Sequence, residues 1–215
     1  MSTPVNIQPT TNDGSALAKF FIESRVHCQL FLAARFLDHR FIPTDLLHDD
    51  IPAHFNRISA KEYRPPNGKD VLVTATVPGE ADKIAGFALW RIPVAGEPGK
   101  KWMAHHGFRP QGQFFCEGYF ATHEVEKEVQ RECGEDGKFC SIQMLVVHRD
   151  YEGEGVEQGL IHWGVKQAAV EGIPVMAVAT SQQKELYERN GFQMKRTAEL
   201  VPGHERVYLV KDTVV

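Results

Sequence analysis

No run of apolar residues in this 215-residue sequence approaches the roughly 20 that a membrane-spanning helix requires. Basic residues are scattered and never form a cluster. With a formal net charge of −4, nothing suggests a nucleic-acid surface. There are only four cysteines, Cys28, Cys116, Cys133 and Cys140, none in a CxxC pair, so they read as reduced thiols. Met1 to Gln8 lack the charged start and apolar stretch of a signal peptide. Internal repeats, low-complexity tracts, a GxSxG elbow, a Walker loop and a dinucleotide fingerprint are all missing. The expectation is a soluble, cytoplasmic protein whose residues 1–215 form one α/β domain.

The chain does carry clear periodic segments. Val5 to Pro9 reads as a short first strand, and Ser15 as the N-cap of a helix bearing Leu17, Phe20 and Phe21. Val26 to Leu37, apolar around Leu30, Phe31, Ala34 and Leu37, suggests a second helix or a bent continuation of the first. Val71 to Val77 alternates and is β-branched, Pro78 to Asp82 makes a turn, and Ile84 to Ile92 returns as the second arm of a hairpin. Pro93 to Gly137 is an insertion rich in aromatics (Trp102, Phe108, Phe114, Phe115, Tyr119, Phe120), with a helix over Val125 to Cys133. The glutamates of 124–135 read as a solvated helix face. Phe139 to Val147 is a strand, Val156 to Val170 a helix, Pro174 to Ala179 a strand, Gln182 to Asn190 a helix closed by Gly191, and Arg206 to Val210 a last strand.

The chemistry lies between Gln143 and Phe192. A buried strand, Gln143 to Val147, runs into Glu152-Gly153-Glu154-Gly155-Val156-Glu157, which opens a helix. Such a loop can turn several backbone N–H groups toward one anion, and the helix dipole adds attraction for phosphate. Gly153 and Gly155 let the backbone approach a ligand closely. Two glycines alone would also suit an ordinary strand-to-helix turn. Gly159 and Gly164, inside the helix, point to close packing on a sheet.

Taken whole, the segment resembles the core of the GNAT (Gcn5-related) acyltransferase family. Leu145, Val147, Asp150, Tyr151, Gly153, Gly155 and Leu160 fall in step with its strand-loop-helix pattern. Leu186, Tyr187, Gly191 and Phe192 match its Leu-Tyr-x-x-x-Gly-Phe end. The resemblance implies a mixed, mostly antiparallel sheet flanked by helices, with a V-shaped opening between central strands and the aromatic insertion preceding the motif strand. It further implies acetyl-CoA as co-substrate. The backbone of Leu145, Val146 and Val147 would pair with the pantetheine arm. The loop Glu152, Gly153, Glu154, Gly155, Val156 and Glu157 would hold the pyrophosphate, with Ser181 also on the cofactor side. Tyr187 would protonate the leaving thiolate, a step a nearby phenol can serve.

The loop departs from the family pattern at Glu152, which stands for Gln or Arg, and at Glu157, which stands for Gly or Ala. Gln183 stands where many members have glycine. Carboxylates around a pyrophosphate oppose its binding, while Arg149 and Lys184 are candidates to offset them. Gln143 is a candidate for orienting a substrate. Glu117, with His105 and His106, is a candidate base in the insertion, and His148 reads as structural. His105, His106, Cys116, Glu117, His123, Cys133 and Cys140 match no zinc spacing, so no metal is expected. The expected activity is acetyl transfer from acetyl-CoA to an amine of a small molecule. The alternative is a GNAT scaffold that has lost acyl-CoA use and acts on, or binds, a small metabolite. Expected partners are a small-molecule acceptor and at most a second copy of the chain, with no nucleic acid and no membrane.

Overall fold

The computed structural model describes residues 4–10, 16, 17, 19, 20, 69–93, 124–133, 138–201 and 204–213. The cap expected at Ser15, the helix expected over Val26 to Leu37 and most of the aromatic insertion lie outside the described residues.

Seven strands form one sheet in the order β1-β2-β3-β4-β5-β7-β6. They are β1 (Asn6–Pro9), β2 (Lys69–Val77), β3 (Glu80–Ile92), β4 (Cys140–Val147), β5 (Val175–Thr180), β6 (Gln193–Val201) and β7 (His204–Lys211). Residues 124–133 are helical and are called α1 here; α2 spans Val156–Glu171 and α3 spans Lys184–Arg189. The β1–β2, β5–β7 and β6–β7 pairs are antiparallel, whereas β4 and β5 are parallel. Parallel neighbours need a crossover, and α2 supplies it. The β2–β3 turn takes only Pro78 and Gly79, with Gly79 at φ 83°. Pro followed by a positive-φ Gly suits a tight type II turn, so β3 begins at Glu80 rather than beyond Asp82 as the composition suggested.

The chain divides into two compact units, one containing Lys69–Arg91 and Gln143–Trp163, the other Ile92–Ile142 and Gly164–Val215. In the first unit, Leu17 and Phe20 pack on Leu72, Phe87, Leu89 and Met144, with Ile84 and Val146 beside them. Period-2 alternation turns Gly86, Ala88 and Trp90 to the other face of β3. There the Trp90 indole N–H donates to the Leu160 carbonyl oxygen at 3.3 Å. A Cβ on Gly159 would lie 2.3 Å from Cδ1 of Ile7, so this helical glycine does reflect close packing of α2 on β1.

The second core gathers Val129, Met176, Tyr208 and Val210, flanked by Val125, Cys133, Phe139, Val178 and Ala198. Val125, Val129 and Cys133 recur every four residues and form the inward stripe of α1. Glu124, Glu128 and Glu132 are exposed, as a solvated face requires, but Glu126 is buried. The glutamate run is thus a helix with one acid turned inward. One strand, β6, was not anticipated at all.

Candidate functional site

In the first unit, the candidate residues begin at the far end of β4. Leu145, Val146 and Val147 are half-buried, and the His148 amide donates to the Ala85 carbonyl at 2.9 Å, carrying the strand contact one residue past Val147. A Cβ on Gly86 would stand 2.9 Å from the Val146 oxygen, 3.0 Å from Val147 Cγ2 and 3.2 Å from Val156 Cγ1. Glycine at position 86 therefore lets β3, β4 and the start of α2 close on one another. A single glycine within a strand pattern is the sequence signal for such an approach, and it was overlooked.

After β4 the chain makes one 3-10 turn, Arg149–Tyr151. His148 caps it, its Nδ1 accepting from the Asp150 amide at 3.3 Å, which is the structural role its sequence position suggested. The Glu154 amide donates back to Tyr151 O at 3.2 Å. Gly153 (φ 75°) and Gly155 (φ 91°) then turn the chain through left-handed conformations that a side chain resists. The bond from Gly159 N to Gly155 O, 3.0 Å, opens α2, and Val156 anchors its first turn in the interior. The leading amides of α2 have no intrahelical acceptor, as at every helix start.

The acidic side chains of this loop are not equivalent. Glu152 is exposed, while Glu154 and Glu157 are half-buried. Glu157 reaches back four residues, and its Oε1 accepts from the Gly153 amide at 3.2 Å. In the second unit the Lys184 ammonium pairs with Glu188 at 2.8 Å.

In the second unit, the end of β5 runs into α3. The β4–β5 register runs Cys140↔Val175, Ser141↔Met176 and Ile142↔Ala177; β4 continues to Val147 and β5 to Thr180. Gln143, half-buried, is the first β4 residue beyond that register. Gln183 closes the β5–α3 turn: its Oε1 accepts from the Thr180 amide at 3.3 Å and from the Thr180 hydroxyl at 3.4 Å. Gln183 stands at φ −88°, a conformation any residue adopts, so the turn itself does not call for glycine. The Ser181 hydroxyl donates to Glu205 Oε2 at 2.8 Å. Tyr187 is buried at 4 % exposure, its ring edge-on to Phe192 with centroids 5.5 Å apart. The Phe192 amide donates to Tyr187 O at 3.1 Å, so the Leu-Tyr…Gly-Phe segment folds back on itself.

Glu117, His105, His106, Cys116 and His123 lie outside the described residues. Among the described residues, no three His, Cys, Asp or Glu side chains converge as metal ligands would. Nor is any described helix long and apolar enough to cross a membrane.

No protein-family model matches the chain, and no curated protein matches it by sequence. Solved structures do. The chain is similar over its whole length to a structure of histone acetyltransferase HPA2 and related acetyltransferase from Corynebacterium glutamicum, with TM-score 0.59 and 18% identity, covering 100% of this chain and 98% of that one. A GNAT-family protein of Desulfovibrio desulfuricans matches with TM-score 0.54 and 14% identity over 98% of this chain and 100% of that one. The fold is that of the GNAT acetyltransferases. YncA of Salmonella typhimurium, solved with its cofactor acetyl-CoA, is similar at TM-score 0.54 and 12% identity, over 99% of this chain and 95% of that one. On this GNAT frame the positive-φ glycines stand at the two motif positions Gly153 and Gly155.

Proposed function

We propose that the chain is an acyl-CoA-dependent N-acyltransferase that moves an acetyl group from acetyl-CoA to an amine of a small molecule, in the cytoplasm and as a single domain. The observation that carries this reading is the left-handed glycine pair opening α2 directly after β4 in a GNAT fold. Peptide-like pantetheine amides suit the backbone of Leu145, Val146 and Val147, and loop and helix-start amides suit a diphosphate. The amine nitrogen attacks the thioester carbonyl, the new C–N bond forms, and the C–S bond breaks with its electron pair leaving on sulfur. The Tyr187 O–H supplies the proton that the thiolate takes. Gln143 orients the acceptor, and a base such as Glu117 removes the proton the attacking amine must lose.

A second reading has one observation in its favour. Glu157 already engages the Gly153 amide, and Glu152 and Glu154 carry the same charge. On that reading the scaffold serves CoA-independent chemistry on, or binding of, a small metabolite. Calorimetric titration with acetyl-CoA and CoA at low and moderate salt separates the two. Binding of either, followed by acetyl-CoA-dependent consumption of an amine with release of free thiol, supports acyl transfer. No heat at millimolar CoA removes that reading and leaves the second.

A further inference from the structure

We infer that Glu157 is the specificity-determining residue of the donor loop, its carboxylate serving as a resident anion that competes with a donor's diphosphate. The inference rests on the acyl-CoA reading above. On that reading the Gly153 amide is one of the loop donors open to a diphosphate, and Glu157 Oε1 takes it at 3.2 Å. The carboxylate is tethered only four residues away, at the start of a 16-residue helix, so its effective concentration at that amide is high without any binding step. A diphosphate approaching the same amide must turn the carboxylate out and then sit beside it. Both groups are anionic, and Glu154, half-buried in the same loop, adds a third charge of that sign.

The helix dipole alone does not account for this contact. An acid that merely favours the dipole sits over the first-turn amides. Glu157 instead bonds an amide two residues before Gly155, whose carbonyl accepts the first helical bond. The pantetheine arm does not need that amide. The native loop therefore draws its donor affinity from the arm and little from the phosphates, and it discriminates weakly between acetyl-CoA and donors that end at pantetheine.

The experiment compares acetyl-CoA with acetyl-pantetheine by calorimetry on the native protein, Glu157→Ala and Asp150→Asn, and follows the Gly153 amide by 15N–1H NMR. The native protein is expected to bind the two donors within about 5-fold of each other. Glu157→Ala should tighten acetyl-CoA by about 10-fold or more and leave acetyl-pantetheine unchanged, with the Gly153 amide resonance moving as its hydrogen bond is lost. Asp150→Asn removes one exposed charge just before the loop without touching the contact and should change acetyl-CoA affinity by less than about 3-fold. Equal gains in the two variants would mean general charge and overturn the role of Glu157 while leaving acyl-CoA binding intact. A native preference for acetyl-CoA above about 100-fold would overturn it with no variant needed. If neither donor binds the native protein or either variant, the acyl-CoA reading falls and this inference with it.

Discussion

A side chain at position 86 has no room, because its first carbon would meet the carbonyl oxygen of Val146 at 2.9 Å. The obstacle is backbone, and the next neighbours are valine methyl groups of β4 and α2, so relief requires moving the strand end and the loop it feeds. Gly86→Ala is expected to cost about 1–3 kcal/mol, the usual range for overpacking a filled interior. Urea denaturation measures it as a lower midpoint with an unchanged slope.

Asp70 and Arg91 form the buried ion pair of the first unit. Arg91 Nε donates to Oδ1 at 2.9 Å and Nη2 to Oδ2 at 3.1 Å, with the side chains 2 % and 9 % exposed respectively for Asp70 and Arg91. Removing one partner takes from the other charge its bidentate counter-charge in the interior. Asp70→Asn or Arg91→Met should each destabilise by about 3–5 kcal/mol, whereas Asp70→Leu with Arg91→Met should recover much of that loss. A double-mutant cycle in urea checks both statements. Additive single losses would mean that the pair is not coupled.

Much of this fold was legible because its central strands have strong patterns. Val71 to Val77 and Phe139 to Val147 are β-branched or apolar, and each is observed to within a residue or two. β6 was invisible for the opposite reason. Gln193, Lys195, Arg196, Thr197 and Glu199 give it almost no hydrophobic period, and it exists because β7 offers a ladder to pair with. At the site, the Gly153/Gly155 turn could be read from residue type alone. The bond between Glu157 and Gly153 could not, since it depends on the path the chain takes through two left-handed residues. Glu126 shows the same limit: a charge within a charged run carries no mark of which way it faces.

The Tyr187 ring packs against Phe192 whether or not it bears a hydroxyl. Tyr187→Phe keeps that ring packing and should lower kcat by about 100-fold or more, if the phenol protonates the thiolate. Steady-state kinetics with acetyl-CoA and the best amine acceptor reads this directly. Full activity in the variant would assign the acid to another group.

Burial pushes the thiols of Cys133 and Cys140 up from their ordinary 9.0 to about 12. Near Cys133 the Lys195 ammonium pulls slightly the other way, and Asp212 and Glu132 add to the rise; Glu171 adds to it at Cys140. A raised folded value means that the unfolded chain releases these protons first. Their contribution to stability is full below pH 9 and is lost as pH climbs through 9 toward about 12. The urea midpoint should fall across that interval. Peptide mapping after iodoacetamide treatment at pH 8 should find both positions unmodified in the folded protein, because the thiolate is the nucleophile.

Among the described residues β6 is an edge strand of the sheet, and this bears on how the chain behaves in a crowded solution. Its ladder to β7 slips between Met194 and Arg196 and again between Glu199 and Val201, leaving only Arg196 to Glu199 in unbroken register. An incoming strand would find four residues of straight template, two of them charged, before the hydrogen-bonding groups swung out of line. Edges of this shape are how β-proteins resist stacking into fibrils. The same strand that lacked a hydrophobic signature is thereby a poor seed for aggregation at this end of the sheet.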